Sequence, residues 1–234
     1  MIDDLPISHV DWQPCWRLVS SRFPPVGLFD RVAEPDDLEI VYAIEGLTND
    51  RLLDEAGDIN LVKPEDRVSG AGTTPIMAAF THLNPEGSRF TDGSYGVYYA
   101  GNTIDTAIAE TQYHRALFLT ATQQPPTEID MRSYASDLSA DLHDIRNCQP
   151  SMPDIYHPDP NRYAAAQTLA KQLRETGANG IVYDSVRMFG GECVAIFRPC
   201  VLSPVKQGPH FCYVWDGYRI TSIYRKTMDL SNFL

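Results

Sequence analysis

Cationic side chains are scarce in this chain: 19 Lys and Arg stand against 31 Asp and Glu in 234 residues, a formal net charge of −12. A phosphate backbone is held mainly by Lys and Arg, so the deficit speaks against direct nucleic-acid binding. Long apolar runs are missing too. Stretches such as Val194–Phe197 fall far short of the ~18 residues of a spanning helix, and no membrane contact is expected. The chain opens Met-Ile-Asp-Asp and never builds a basic stretch followed by an apolar one. No signal peptide is read there, and a cytoplasmic location is expected. The five cysteines (Cys15, Cys148, Cys193, Cys200, Cys212) are scattered, with no Cys-x-x-Cys, and the six histidines show no ligand spacing. Neither a disulfide framework nor a structural metal site is expected. Also absent are Gly-x-Ser-x-Gly, the P-loop and the Rossmann glycine fingerprint; Gly70-Ala71-Gly72 is a partial match that follows no strand.

What is present is ordinary for a globular protein: 43% hydrophobic and 21% charged residues, with 12 Tyr, 9 Phe and 3 Trp. A chain this long buries roughly 70–75% of its unfolded surface without staples. No linker splits it, so the expectation is one mixed α/β (α+β) domain spanning 1–234.

Trp16–Val19 is a short apolar run, followed by a loop at Pro24-Pro25. The spacing of Leu38, Val41, Tyr42 and Ile44 predicts a helix over 36–47. Thr74-Pro75 predicts a helix with Thr74 as N-cap and Pro75 at its first position. Gly96–Ala100 has strand composition, and Thr103 caps a helix over 104–118 with Ile104, Ala107, Ile108, Thr111 and Phe118 on one side. Glu110 lies on the border of that stripe, hence edge-buried. Residues 120–158 read as a strand followed by a helix. A further helix starts at Asp159-Pro160 and ends at Gly177. Two β-rich runs, 181–187 and 193–197, flank Gly190-Gly191 as an antiparallel hairpin, with Tyr183, Ser185 and Arg187 on one strand face. Asp216-Gly217 is a type I′ signal for a last hairpin.

Four features carry potential chemistry. Arg89 stands in a turn, Gly87-Ser88-Arg89-Phe90, and its planar fork of donors suits phosphate oxygens; an exposed Arg pairing with a nearby acid fits the same residues. Tyr95–Tyr99 places tyrosines on a strand, where β-propensity alone also puts them. Glu110 flanks a small-residue helix turn, a place equally open to an exposed helical Glu. Ser185 precedes Arg187 and Gly190-Gly191, though strand serines commonly just bond backbone. A Cys-His hydrolase built on Cys193 or Cys212 with His114 or His210 has no local signature.

Taken together, Arg89, Tyr99, Glu110 and Ser185, in the blocks Ser94–Glu110 and 179–198, resemble the RES domain, the toxin component of Xre–RES toxin–antitoxin operons. Trp16-Arg17-Leu18 is similar to that family's opening strand. The resemblance covers roughly 16–200. Many members carry Gly-Gly-Arg-Trp-Asn where this chain has Gly87-Ser88-Arg89-Phe90-Thr91; the Arg is kept. Residues 30–85 and 120–160 look like insertions relative to the minimal domain, and 205–234 like a C-terminal hairpin extension.

The resemblance implies an ADP-ribosyltransferase-like core and an enzyme that consumes NAD+ as substrate, by hydrolysis or phosphorolysis of the nicotinamide–ribose bond, without a metal. It implies Glu110 as the carboxylate facing the developing positive charge, and Arg89 as the grip on pyrophosphate or phosphate. Tyr99 would be a face for nicotinamide, Ser185 a partner of the carboxamide or a ribose hydroxyl, and Arg187 a second phosphate contact. It further implies a cognate Xre-type antitoxin that neutralises the toxin and supplies DNA binding. Two other readings remain open: a protein ADP-ribosyltransferase toxin, and a catalytically silent binding module.

Overall fold

The computed structural model describes residues 5–21 and 57–227. The helix expected over 36–47 and the Pro24-Pro25 loop lie outside the described residues.

The central element is β3 (Thr127–Asp144), eighteen residues of unbroken strand. This corrects the expectation of a strand followed by a helix in 120–158. Leu138, Leu142 and Ile145 do fall at helical spacing, but Leu138 and Leu142 also fit a period of two through Ala140. The intervening Asp137, Ser139 and Asp141 are exposed while Leu138, Ala140 and Leu142 are buried. Alternation of that kind suits one covered sheet face and would scatter polar groups around a helix.

β1 (Ile7–Ser20) pairs antiparallel with β3 from Ile7↔His143 to Ser20↔Met131. Strands β2 (Tyr98–Gly101), β4 (Gly180–Asp184) and β5 (Glu192–Ile196) complete a circuit: β1–β2, β2–β5, β5–β4, the parallel pair β4–β3, and β3 back to β1. β6 (Lys206–Trp215) pairs with the first half of β3, and β7 (Ile220–Lys226) with β6, so the last hairpin extends the sheet beyond the circuit. Its turn differs from the type I′ expectation. Only Gly217 has positive φ, +100°, and Asp216 Oδ1 accepts from the Tyr218 and Arg219 amides. A type I′ turn needs positive φ at both central residues.

The helices among the described residues are α1 (Thr74–Thr81), α2 (Ile104–Ala121) and α3 (Ala164–Glu175). The N-cap of α1 is Thr73, one residue before the expected Thr74, with Pro75 in the first turn. Strand alternation distributes the helices over the sheet. Val182, Val194 and Ile196 join Ile76, Met77 and Phe80 of α1. Their neighbours Ile181, Tyr183, Cys193 and Ala195 face Ala166, Ala170 and Leu173 of α3. Ala107 and Leu119 of α2 cover Leu18, Met131, Phe211, Tyr213 and Trp215. Phe118, expected on the buried side, is 55% exposed; Leu119 (6%) takes that place because the last turn of α2 rides on the β6–β7 hairpin. The sheet and helices are mixed α/β, as the sequence predicts.

Candidate functional site

α2 begins where β2 ends, and a compact network sets its origin. Thr103 Oγ1 accepts from the Thr106 amide at 3.1 Å, capping the helix as expected. Asn102 Oδ1 accepts from Thr106 Oγ1 and from the Glu192 amide, both at 3.1 Å, tying the helix start to β5. Glu110 follows roughly two turns later. It is half-buried, as its border position on the apolar stripe predicts.

Glu110 Oε1 accepts a hydrogen bond from Ser185 Oγ at 2.6 Å. β4 stops at Asp184, so Ser185 and Arg187 lie in the β4–β5 turn and not on the strand face where the sequence places them. The reason is local bonding. Ser185 Oγ accepts from the Arg187 amide (3.1 Å) and the Met188 amide (3.0 Å), while the Ser185 amide donates to Gly191 O at 2.8 Å. A serine hydroxyl offering the backbone such partners competes with the sheet ladder. With two amides donated to it, Ser185 Oγ has its own proton free for Glu110. The buried Cys193 thiol sits behind this pair; burial first, then the Glu110 charge, holds its pKa well above the ordinary thiol value. It stays a thiol at neutral pH, which removes Cys193 as a nucleophile.

Arg89 is 7% exposed. Its Nη1 donates to Ile155 O (2.8 Å) and His157 O (3.0 Å), its Nη2 to Tyr163 Oη (3.2 Å), and its guanidinium stacks 4.4 Å from the Tyr163 ring centre. The turn that carries it is clamped from both sides. Tyr99 Oη shares a 2.7 Å hydrogen bond with Ser88 Oγ and accepts from the Phe90 amide at 3.0 Å. Gln167 Nε2 of α3 donates to Ser88 O and Thr91 O. Gly87 has φ +69°, and a Cβ there would meet Thr91 O at 2.5 Å, so the turn requires glycine. Phe90 is fully buried edge-on against Tyr183. Tyr99 is thus a brace for the Arg89 turn; burial pushes its phenol up to about 12.

Arg187 donates through Nη2 to Pro158 O, and its guanidinium lies 3.2 Å from the centre of the Tyr113 ring. Tyr163 Oη accepts from Arg89, and Arg187 is held by the carbonyl of Pro158, the residue after the His157 carbonyl that takes Arg89. Neither forms an ion pair with a carboxylate of the described residues. His114, one turn beyond Glu110, reaches solvent at its edge. Crowding by neighbouring side chains, then Arg187 and Arg89, lower its pKa to about 4, so it is neutral at pH 7.

The structure therefore brings Glu110 to Ser185, and Arg89 and Arg187 to the carbonyls of 155–158, with the turn 185–187 carrying both Ser185 and Arg187. Tyr113, Tyr163, Gln167 and the carbonyls of 155–158 were not foreseen. Only Tyr113, three residues after Glu110 on the same helix face, had a positional signal. Among the described residues no group of three or more His, Cys, Asp and Glu could hold a metal ion, and no helix is long and apolar enough to cross a membrane.

A solved chain of the M. tuberculosis MbcT-MbcA toxin-antitoxin complex is 11% identical, with a TM-score of 0.48 over 92% of this chain and 90% of that one. The uncharacterized protein y4oC of Sinorhizobium fredii (strain NBRC 101917 / NGR234) is 31% identical over 217 residues, 89% of this chain and 86% of that protein. The family model of the RES domain matches residues 64–216. The chain belongs to the RES-domain family.

Proposed function

We propose that this protein is a toxin that cleaves the nicotinamide–ribose bond of NAD+ and that a cognate Xre-type antitoxin neutralises it in the cytoplasm. The observation that carries the reading is a half-buried carboxylate, Glu110, oriented by a neutral hydroxyl in the turn that also carries Arg187, with Arg187 and Arg89 held by carbonyls and forming no ion pair among the described residues. NAD+ asks for both charges. Its pyrophosphate is anionic and suits the donors of Arg89 and Arg187. Its N-glycosidic bond breaks with the electron pair leaving on the nicotinamide nitrogen, which turns a cationic ring into a neutral leaving group. Positive charge then develops on the ribose, and a fixed carboxylate stabilises it. Water attacking C1′ yields ADP-ribose, nicotinamide and one proton, which Glu110 can take up before solvent does. Phosphate as acceptor yields ADP-ribose phosphate instead.

Family membership supports the substrate, and the acidic balance of the chain supports leaving DNA contact to the antitoxin. Incubation with labelled NAD+, with and without phosphate, followed by product mass, tests the reading. Free ADP-ribose or its phosphate is expected. A labelled protein band in place of either assigns a protein ADP-ribosyltransferase, and intact NAD+ overturns the enzymatic reading.

A further inference from the structure

The two arginines repel one another, yet both are held by carbonyls of one short segment, 155–158. What holds them there is uncharged. Arg89 stacks on the Tyr163 ring and Arg187 on the Tyr113 ring. The carbonyls of Ile155 and His157 take Arg89, and that of Pro158 takes Arg187. Tyr113 Oη donates to the same Pro158 carbonyl at 3.3 Å, so Tyr113 and Arg187 are fixed to each other through a ring face and a shared acceptor. A carboxylate would also hold a guanidinium, but it would cancel the charge and compete with an incoming anion. Ring faces and carbonyl dipoles orient the cation and leave its charge available. The donors are partly spent too: Nη2 of Arg187 is on Pro158 and its Nε is enclosed without a partner.

We propose that Tyr113 and Tyr163 are positioning residues that hold Arg187 and Arg89 together as a doubly charged clamp for a diphosphate-bearing ligand. This rests on the NAD+ reading above for the identity of the ligand, and on the geometry alone for the clamp.

The test pairs kinetics with a binding measurement that needs no turnover. Tyr113→Leu removes the ring under Arg187; KM for NAD+ should rise about tenfold, the scale of a desolvated cation–π contact, with kcat within about twofold. Tyr113→Trp restores an aromatic face and should recover most of the loss. Tyr163→Phe keeps the stack and removes the hydroxyl that accepts from Arg89, and should raise KM by a smaller factor. Calorimetric Kd for ADP-ribose should follow the same order. Tyr113→Leu added to Arg187→Ala should add little, because Tyr113 acts through Arg187. An unchanged KM and Kd in Tyr113→Leu, or full additivity with Arg187→Ala, overturns the proposal. Wild type that fails to bind ADP-ribose also overturns it. Wild type that binds ADP-ribose but leaves NAD+ intact overturns the cleavage reading alone.

Discussion

On the glutamate side of the site a hydroxyl donates to a carboxylate; on the arginine side carbonyls and tyrosine faces receive two guanidinium groups. The partners are opposite in kind, yet they share a property: none is charged. Ser185 orients Glu110 without neutralising it, and the 155–158 segment orients the arginines without neutralising them. The difference lies in depth. Glu110 is half-buried and can be altered with little effect on packing, whereas Arg89 is buried and satisfies two main-chain carbonyls. The glutamate side should therefore break as chemistry and the arginine side as chemistry and fold together.

The largest effect should come from Glu110→Gln, which keeps shape and removes charge. NAD+ turnover should drop about 10³-fold, in line with loss of a principal transition-state contact, while the thermal midpoint barely moves. Unchanged turnover would remove Glu110 from the mechanism. Arg89→Ala should weaken NAD+ binding and, in the same variant, lower stability by about 2–4 kcal/mol in urea unfolding, since a buried side chain is lost and two part-buried carbonyls lose their charged donor. A stability loss under about 0.5 kcal/mol, the usual surface value, would erase the contrast between the two sides. Ser185→Ala should cut kcat about tenfold to a hundredfold in single-turnover kinetics, because the carboxylate loses its orientation, not its charge. A change confined to KM would make Ser185 a ligand contact.

The smallest effect is a control that lies outside both groups. Arg146 donates to both oxygens of Asp144 and to Glu192. Burial alone raises the Asp144 carboxyl, but the Arg146 hydrogen bonds more than offset it and hold its pKa below the ordinary value. A carboxyl depressed in the folded state adds stability that is full above about pH 4 and fades as pH falls through the folded value. Arg146→Met should cost about 1–2 kcal/mol at pH 7, with the difference from wild type shrinking in acid. A cost that is the same at pH 3 and pH 7 would point to lost packing instead.

Much of this was legible in the sequence, for identifiable reasons. The cap of α2 and the hairpin at Gly190-Gly191 follow from local residue preferences, and local preferences were right there, whereas Asp159-Pro160 opens only the short 3-10 turn Pro160–Arg162 and α3 itself begins at Ala164. β3 was misjudged because Leu138 and Leu142 satisfy two periods at once, and the pairing that decides between them comes from β1 and β6, far away in the chain. The pattern Arg89, Tyr99, Glu110, Ser185 named the site, but not the work of each member. Tyr99 braces a turn and Ser185 orients Glu110, and both roles depend on atoms brought in by folding. The 155–158 segment was opaque for a plain reason. It acts through backbone carbonyls, which every residue has and no side-chain pattern reveals.

The most direct measurement is nicotinamide release from NAD+ by purified wild type and Glu110→Gln protein, side by side, with loss of NAD+ followed in the same samples. The account predicts one nicotinamide for each NAD+ lost with wild type, and release close to the uncatalysed rate with the variant. Equal release by both proteins, or none from folded wild type, would contradict it.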